Sequence, residues 1–509
     1  MARIEQGIDA QKISKRKQAL ALFGFPGLVD LKSVVAERDP KCGYPALMLF
    51  AMLACARIWG SQNEALNEIN DTNLWPELVA RYAKATGNPG PFPTKAPSAH
   101  TLDTFLARLG NSEGKLDQLR QQFMASSLAM AKHLGQFKQH VAPDWTRIDS
   151  DHLIIGDGTY VKPFSSVKEV VDQKTGAKVV LGSRAASRPR IQRVITDSSQ
   201  DAKTAIGINH VTIVTPTRHG WIVLAVDHAL ASEIRTATPM IEQLTKLAGD
   251  GIHTVTWDSA YSGISKEILT ANNGLLALTK PVARPDQTQL EHVGAAIGED
   301  EAISRYEAGQ ALPLGTSVFP TTKGHAMVRT WVYPFGQIPG TNCEHELWVD
   351  GESLVDVSRA EVAQATLTGQ PVKIAHAHTV SATRHRNESG SFGVKTEWSI
   401  PCKRAGEHRF TTVSAPRTET GQPAPDALPM ATNTMSSLPR TQTEQFADGY
   451  GYRNMSESFN SWFKSRLGTT AGASRAMRLK PEHQGIDHIC IGLIANSNTH
   501  LRFRESKSR

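Results

Sequence analysis

The apolar pattern of this chain changes period near residue 150, and that break excludes any fold built from one kind of secondary structure. Ahead of it, Pro45 to Cys55 is helix-forming and apolar almost all round. Residues 62–82 and 101–137 place apolar side chains at the 3.6-residue spacing of a helix face. Ser98 or Thr101 stands where a helix opening at Leu102 needs an N-cap. Behind the break, Leu153-Ile154-Ile155 leads into Asp157-Gly158-Thr159-Tyr160-Val161, a strand pattern. Ile208–Val214 and Trp221–Val226 are apolar strands around a turn-rich Thr215–Gly220, which suits a hairpin. A helix over 231–248, a β-branched strand over 253–257, a helix over 263–272 and a strand over 275–279 follow. Strands and helices in that order describe an α/β fold with a mixed sheet behind an all-α front.

Residues from about 285 to 445 lose the alternation. Met327–Tyr333, Glu346–Val349, Lys395–Ile400 and Arg409–Val413 read as short strands, and 414–440 holds five prolines among Thr, Ser and Gly, an extended connector. Helical patterns return over 452–467 and 486–496. A chain of 509 residues exceeds what one hydrophobic core supports. The segments expected are 1–140, helical; 141–285, α/β; 286–444, a β-rich insertion with its connector; and 445–509, a return to the α/β part with a basic tail.

Charge and cysteine content narrow the setting. The formal net charge is +7, and it is unevenly spread: Tyr450–Arg509 carries ten Lys/Arg against four acids, and Lys162–Arg193 carries eight against two, each +6. Such stretches suit a polyanion and are equally ordinary as solvated loop charge. The five cysteines are scattered without a C-x-x-C pair, which points to reduced thiols in a cytoplasmic protein. The longest apolar run, Tyr44–Ala56, is too short to span a bilayer, so no membrane association is expected.

The chemistry-bearing pattern is a set of acids. Asp157 and Asp258 each close an apolar run, and an acid at the carboxyl end of a strand faces the crevice where α/β sheets bind ligands. A turn former or helix cap is the bland alternative, and Asp149, Asp151 and Asp227 compete for the same role. Glu457 is more specific. On a helix, Arg453 lies about 40° and Lys464 about 20° from it, while Met455, Phe459, Trp462 and Phe463 gather on the opposite face. One face then carries a carboxylate between two cations, and the other can pack on a sheet.

Tyr450, Arg453, Glu457 and Lys464 together spell Tyr-(2)-Arg-(3)-Glu-(6)-Lys without a gap. That pattern resembles the signature around the catalytic glutamate of a large group of bacterial insertion-sequence DDE transposases. Asp157-Gly-Thr and Asp258-Ser-Ala-Tyr261 resemble the first and second acid regions of the same group. The resemblance covers about residues 150–500 and implies an RNase H-like core interrupted by a β-rich insertion, with the helical front as a DNA-binding region. It implies that Asp157, Asp258 and Glu457 hold two Mg²⁺ (or Mn²⁺) ions, one activating the attacking oxygen and one stabilising the leaving oxygen. Arg453 and Lys464 would hold phosphates, and Tyr450 the end-proximal backbone or a base. The implied partners are double-stranded terminal inverted repeats, target DNA and a second copy in a synaptic dimer; the implied location is the bacterial cytoplasm, on the nucleoid when bound.

Three features stand outside that pattern. The long basic stretch after Asp157 occupies a place where the family has a tight hairpin. Trp331, Trp348 and Trp398 offer rings that would stack on an extruded base, although ordinary packing explains a tryptophan equally well. Cys343-x-His345 and Cys402-x₅-His408 offer thiol and imidazole donors at an unusual spacing for zinc. The sequence leaves two alternatives to a transposase open: an RNase H-like nuclease without strand transfer, and a domesticated or inactive copy that only binds DNA.

Overall fold

The computed structural model describes residues 13–35, 43–163, 167–171, 178–182, 192–195, 204–229, 233–258, 261, 264–279, 297–310, 312–321, 324–329, 332–338, 345–350, 353–368, 374–386, 388, 390–402, 404–414, 449–467, 475–476, 478 and 480–508. In chain order the elements are α1 (Lys15–Phe23), α2 (Ala46–Trp59), α3 (Gln62–Asp71), α4 (Trp75–Thr86), α5 (Ala99–Asn111) and α6 (Lys115–His133). They continue with β1 (Leu153–Pro163), β2 (Val167–Val171), β3 (Lys178–Gly182), β4 (Gln192–Ile195), β5 (Thr204–Thr217), β6 (Gly220–Ala229) and α7 (Glu233–Ala248). Next come β7 (Thr254–Thr256), α8 (Ile264–Asn273), β8 (Leu276–Leu278), α9 (Glu299–Glu307), β9 (Thr316–Thr321), β10 (Gly324–Arg329), β11 (Val332–Gln337), β12 (Glu346–Asp350) and β13 (Ser353–Asp356). The last are α10 (Arg359–Thr368), β14 (Ala375–His376), β15 (His378–Arg386), β16 (Phe392–Cys402), β17 (Gly406–Ser414), α11 (Arg453–Leu467), β18 (Arg475–Ala476) and α12 (Pro481–Lys507).

Contacts divide the chain into two units, one of residues 1–139, 150–251 and 452–509, the other of 140–149 and 252–451. The first unit is α/β with a mixed sheet. β5 is its central strand, antiparallel to β1 (Asp157 opposite Thr212), to β6 and to β4. β18 joins β1 in parallel. The strands form where β-branched side chains alternate with smaller ones, and Ile155, Val161, Ile208, Val211, Ile213 and Val226 are all buried.

Two helices anchor the first unit's core. α2 is apolar apart from Arg57, which is paired with Asp487, and is buried along its whole length, the environment such a helix needs. α12 is buried from Pro481 through Ser497 and packs on β6, α2, α1 and α6. Asn496 fastens it to the sheet through the backbone of Val223, accepting from its N–H at 2.7 Å and donating to its carbonyl at 2.9 Å. At α5 the N-cap is Ser98, whose Oγ accepts from the Thr101 amide at 3.1 Å.

The second unit carries the parallel pair β7–β8, the hairpin β9–β10, the four-stranded sheet β11-β12-β13-β14 and the three-stranded sheet β15-β16-β17. Trp348 is buried among Leu314, Val332, Val355, Val357 and Val362, and Trp398 among Ile338, Leu347, Leu354 and Ile400. Trp398 Nε1 also donates to Thr412 Oγ1 at 2.8 Å. Both rings are spent on packing, so the base-trapping role considered for them does not hold; Trp331 lies outside the described residues. The basic stretch after β1 folds in part as the ribbon β2–β3 and as β4 on the edge of β5. The proline-rich connector of 414–440 lies, from 415 on, outside the described residues.

Candidate functional site

Asp157 sits within β1 rather than at its end. The apolar run stops there, but Gly158 to Val161 keep pairing with β5, so the strand continues. Alternation puts Asp157 on the face shared by Ile155, Thr159 and Val161. Gly158 points the other way, where a Cβ would overlap the Glu233 carboxylate at the start of α7, so the close approach of that helix explains the glycine.

The helix α11 lies over the Asp157 face, and its aromatic side chains fix its rotation. Phe459 meets Trp221 edge-on at 6.3 Å, and Phe463 contacts His210 and His488 at 5.4 and 4.4 Å between ring centroids. Arg466 adds an anchor: its guanidinium donates to the carbonyl of Ile58 at 2.8 Å and lies 5.1 Å over the Trp462 ring. With Met455, Phe459 and Phe463 buried, Asn460 is turned inward as well, and its Nδ2 donates to Asp157 Oδ2 at 2.8 Å. Glu457, one turn earlier, projects at the rim with its side chain 49% exposed, 2.8 Å from the Arg453 guanidinium, itself 22% exposed. Lys464 is half-buried farther along the same helix. Tyr450 lies half-buried in the helical turn just ahead of α11.

Asp258 belongs to the second unit. It follows β7 directly, past the carboxyl end of a strand that pairs in parallel with β8, and is half-buried. Trp257, buried beside it, donates from its amide to the Leu278 carbonyl at 3.0 Å, and the Asp258 carbonyl accepts from Tyr261 N–H at 3.2 Å. Its rivals in the first unit are held by other groups. Asp151 accepts from Gln136 Nε2 at 3.1 Å, and Asp227 is paired with Arg120 at 2.7 Å. Burial pushes the Asp227 carboxyl up, and the Arg120 charge opposes that shift.

Behind Asp157 lies a polar network that sequence reasoning missed. Thr212, opposite Asp157, shares a hydrogen bond with His488 Nε2 at 2.9 Å. His488 meets His210 at 3.3 Å, and His210 meets Gln484 Oε1 at 3.0 Å. The one available signal was the pair Gln484 and His488, polar residues one turn apart on a buried stretch of helix.

Asp157, Asp258 and Glu457 are each carboxylates, and carboxylate oxygen is the donor a hard divalent cation takes. A carboxylate steadied by a neighbouring amide, as Asp157 is by Asn460, fits the same use, because ligating carboxylates are themselves hydrogen-bonded. Among the described residues no three His, Cys, Asp or Glu side chains are placed to hold a metal ion, Asp157, Asp258 and Glu457 included. No described helix is long and apolar enough to cross a membrane. Compared with family models and with curated proteins, the sequence gives no match.

Proposed function

We propose that the chain is a DNA transposase of the DDE type, with an RNase H-like core whose acids are Asp157, Asp258 and Glu457. The observation that carries the reading is the tie from Asp157 to the helix bearing Glu457, made by Asn460 across 303 residues of sequence. The order of elements supports it: antiparallel β1, β5 and β6, then α7, β7, α8 and β8, then α11. The matched Tyr450, Arg453, Glu457 and Lys464 support it independently.

Two Mg²⁺ or Mn²⁺ ions, when bound, would supply Lewis-acid polarisation of the phosphodiester. Asp157, Asp258 and Glu457 would hold them. Arg453, now paired with Glu457, would turn its guanidinium to a phosphate oxygen, and Lys464 would add a second positive contact. Tyr450 would steady the DNA backbone near the cut. These contacts position DNA without reading its sequence. The helical front would take part in binding the element's ends, and two copies would bring two ends together.

The test uses the full chain with duplexes carrying the inverted repeats that flank its reading frame. With Mg²⁺ or Mn²⁺ the protein is expected to nick at the repeat end and to join the freed 3′-OH to target DNA. Asp157→Ala, Asp258→Ala and Glu457→Ala should each abolish cutting and retain end binding. Wild-type cleavage by Glu457→Ala overturns the assignment; nicking without joining selects the nuclease reading.

A further inference from the structure

The first unit holds a cavity of about 230 Å³ that the proposed reaction does not use. Helices α1, α4 and α12 enclose it, with Leu20 and Leu501 among its apolar walls. Arg81 and Lys84 line it from α4, and His500 and Arg504 line it from α12. Residues three or four apart leave a helix on one face, so each pair borders the same space. Arg81, Lys84 and Arg504 are exposed, and among the described residues none of their side chains has an ion pair or a hydrogen bond. Cations just outside the cavity are treated otherwise: Arg16 is paired with Glu77, and Lys17 with Glu505 at 2.6 Å. His500 is half-buried, with its ring 5.7 Å from that of Phe25. Burial and the Arg504 charge hold it below its ordinary range, so at pH 7 it is neutral, with one N–H to donate.

Three full positive charges around one concavity repel one another, and low-dielectric walls concentrate their field. The carboxyl end of α1, capped by Gly24 at the cavity, supplies roughly half a negative charge, too little to balance three. A bound anion would balance them. Two of the three cations are guanidiniums, whose planar fork matches the oxygens of a phosphate. Pockets for drug-sized ligands begin at about 300 Å³, so a smaller one suits a single phosphate group.

We propose that the cavity between α1, α4 and α12 seats one backbone phosphate of duplex DNA, held by Arg81, Lys84 and Arg504 with His500 as a neutral donor. The inference rests on the reading of the chain as a DNA transposase and names a place where the duplex is gripped. α1 and α4 come from the helical front, and α12 comes from the segment that returns to the α/β part. One phosphate would therefore tie both segments to the DNA.

Binding of the full chain, without divalent metal, is measured by fluorescence anisotropy over a range of salt. One labelled duplex carries the flanking inverted repeat, and the other is unrelated and of equal length. Each phosphate neutralised contributes about 0.9 to the slope of log affinity against log salt. The triple variant Arg81→Gln, Lys84→Gln, Arg504→Gln should bind both duplexes about tenfold or more weakly, since a phosphate contact carries no sequence information. Its slope should fall by about one unit and not three, because the three cations share one phosphate. Arg504→Gln alone should weaken both duplexes in the same direction. The melting temperature of the triple variant should not fall, since unpaired like charges are removed. A slope lowered by about three units means three separate surface contacts and overturns the shared pocket. Inorganic phosphate is the second probe. If it raises the melting temperature of the wild type and not of the triple variant, while duplex binding ignores the substitutions, the cavity takes a free anion and the DNA proposal is overturned. A wild type that binds no duplex overturns the transposase reading with it. Duplex binding indifferent to all three substitutions overturns this pocket alone and leaves the nicking assay untouched.

Discussion

Asn460 donates to Asp157 from a helix face otherwise filled by Met455, Phe459 and Phe463. Removing the amide should therefore act on the carboxylate more than on the helix. Asn460→Ala is expected to lower nicking by about 10- to 100-fold, the usual cost of losing a group that orients a metal ligand, with end binding unchanged. The loss should shrink as Mn²⁺ concentration is raised, which a purely structural defect would not do. Equal nicking by variant and wild type at low Mn²⁺ would remove Asn460 from the site. Asn460 was not legible in the sequence because its partner is 303 residues away, and no local pattern encodes that pairing. Glu457 was picked out because both cations of its motif lie within one or two helical turns of it, where spacing alone fixes direction. Asp157 closes its apolar run in the sequence, yet the strand continues past it. An apolar run marks where a strand is buried, not where its hydrogen bonds stop, and β5 carries the pairing on to Val161.

At the scale of elements, period and capping rules carried furthest where neighbours are close in sequence. The β5–β6 hairpin and the Ser98 cap follow from turn and cap chemistry. α12 was read as 486–496 and runs from Pro481 to Lys507. Its first turns hide Gln484, Asp487 and His488 inside the protein, so the helix is buried there without being apolar. Each of those side chains has a partner on another segment: His210, Arg478 and Thr212 in turn. The same helix shows why a poor helix former can be the better residue. Gly492 lies against α6, where a Cβ would come 2.7 Å from the Phe123 ring, which is itself buried. Intrinsic propensity favours Gly492→Ala by about 1 kcal/mol, whereas overpacking a rigid core costs about 1–3 kcal/mol. The clash should win, so Gly492→Ala is expected to lower the melting temperature. A Phe123→Leu companion change, which makes room, should recover part of the loss. A raised melting temperature in the single variant would mean that α6 and α12 separate without penalty.

At the scale of the whole first unit, three distant segments meet on ionisable side chains, and that makes stability depend on pH in a definite direction. His210 on β5, His228 on β6 and His488 on α12 are packed with Arg120 of α6, Asp227 and Asp487. Burial pulls His210 down to about 4, and burial with the Arg120 charge pulls His228 down to about 3. Burial, with His210 and Arg120 nearby, also holds His488 well below its ordinary range. In the unfolded chain the same imidazoles take up protons as the pH falls through about 6.5. The folded state refuses those protons until pH 4 or lower, so it is fully favoured above pH 6.5 and loses stability steadily below it. Each histidine contributes a slope of up to about 1.4 kcal/mol per pH unit, mostly before the carboxylates titrate. Guanidinium midpoints should therefore fall between pH 7 and pH 5. The fall should be shallower in His228→Gln, which keeps a neutral acceptor for Arg120, and shallower again when His210→Asn is added. If all three proteins trace parallel curves over that range, the charge-free state of these imidazoles is not what the fold requires.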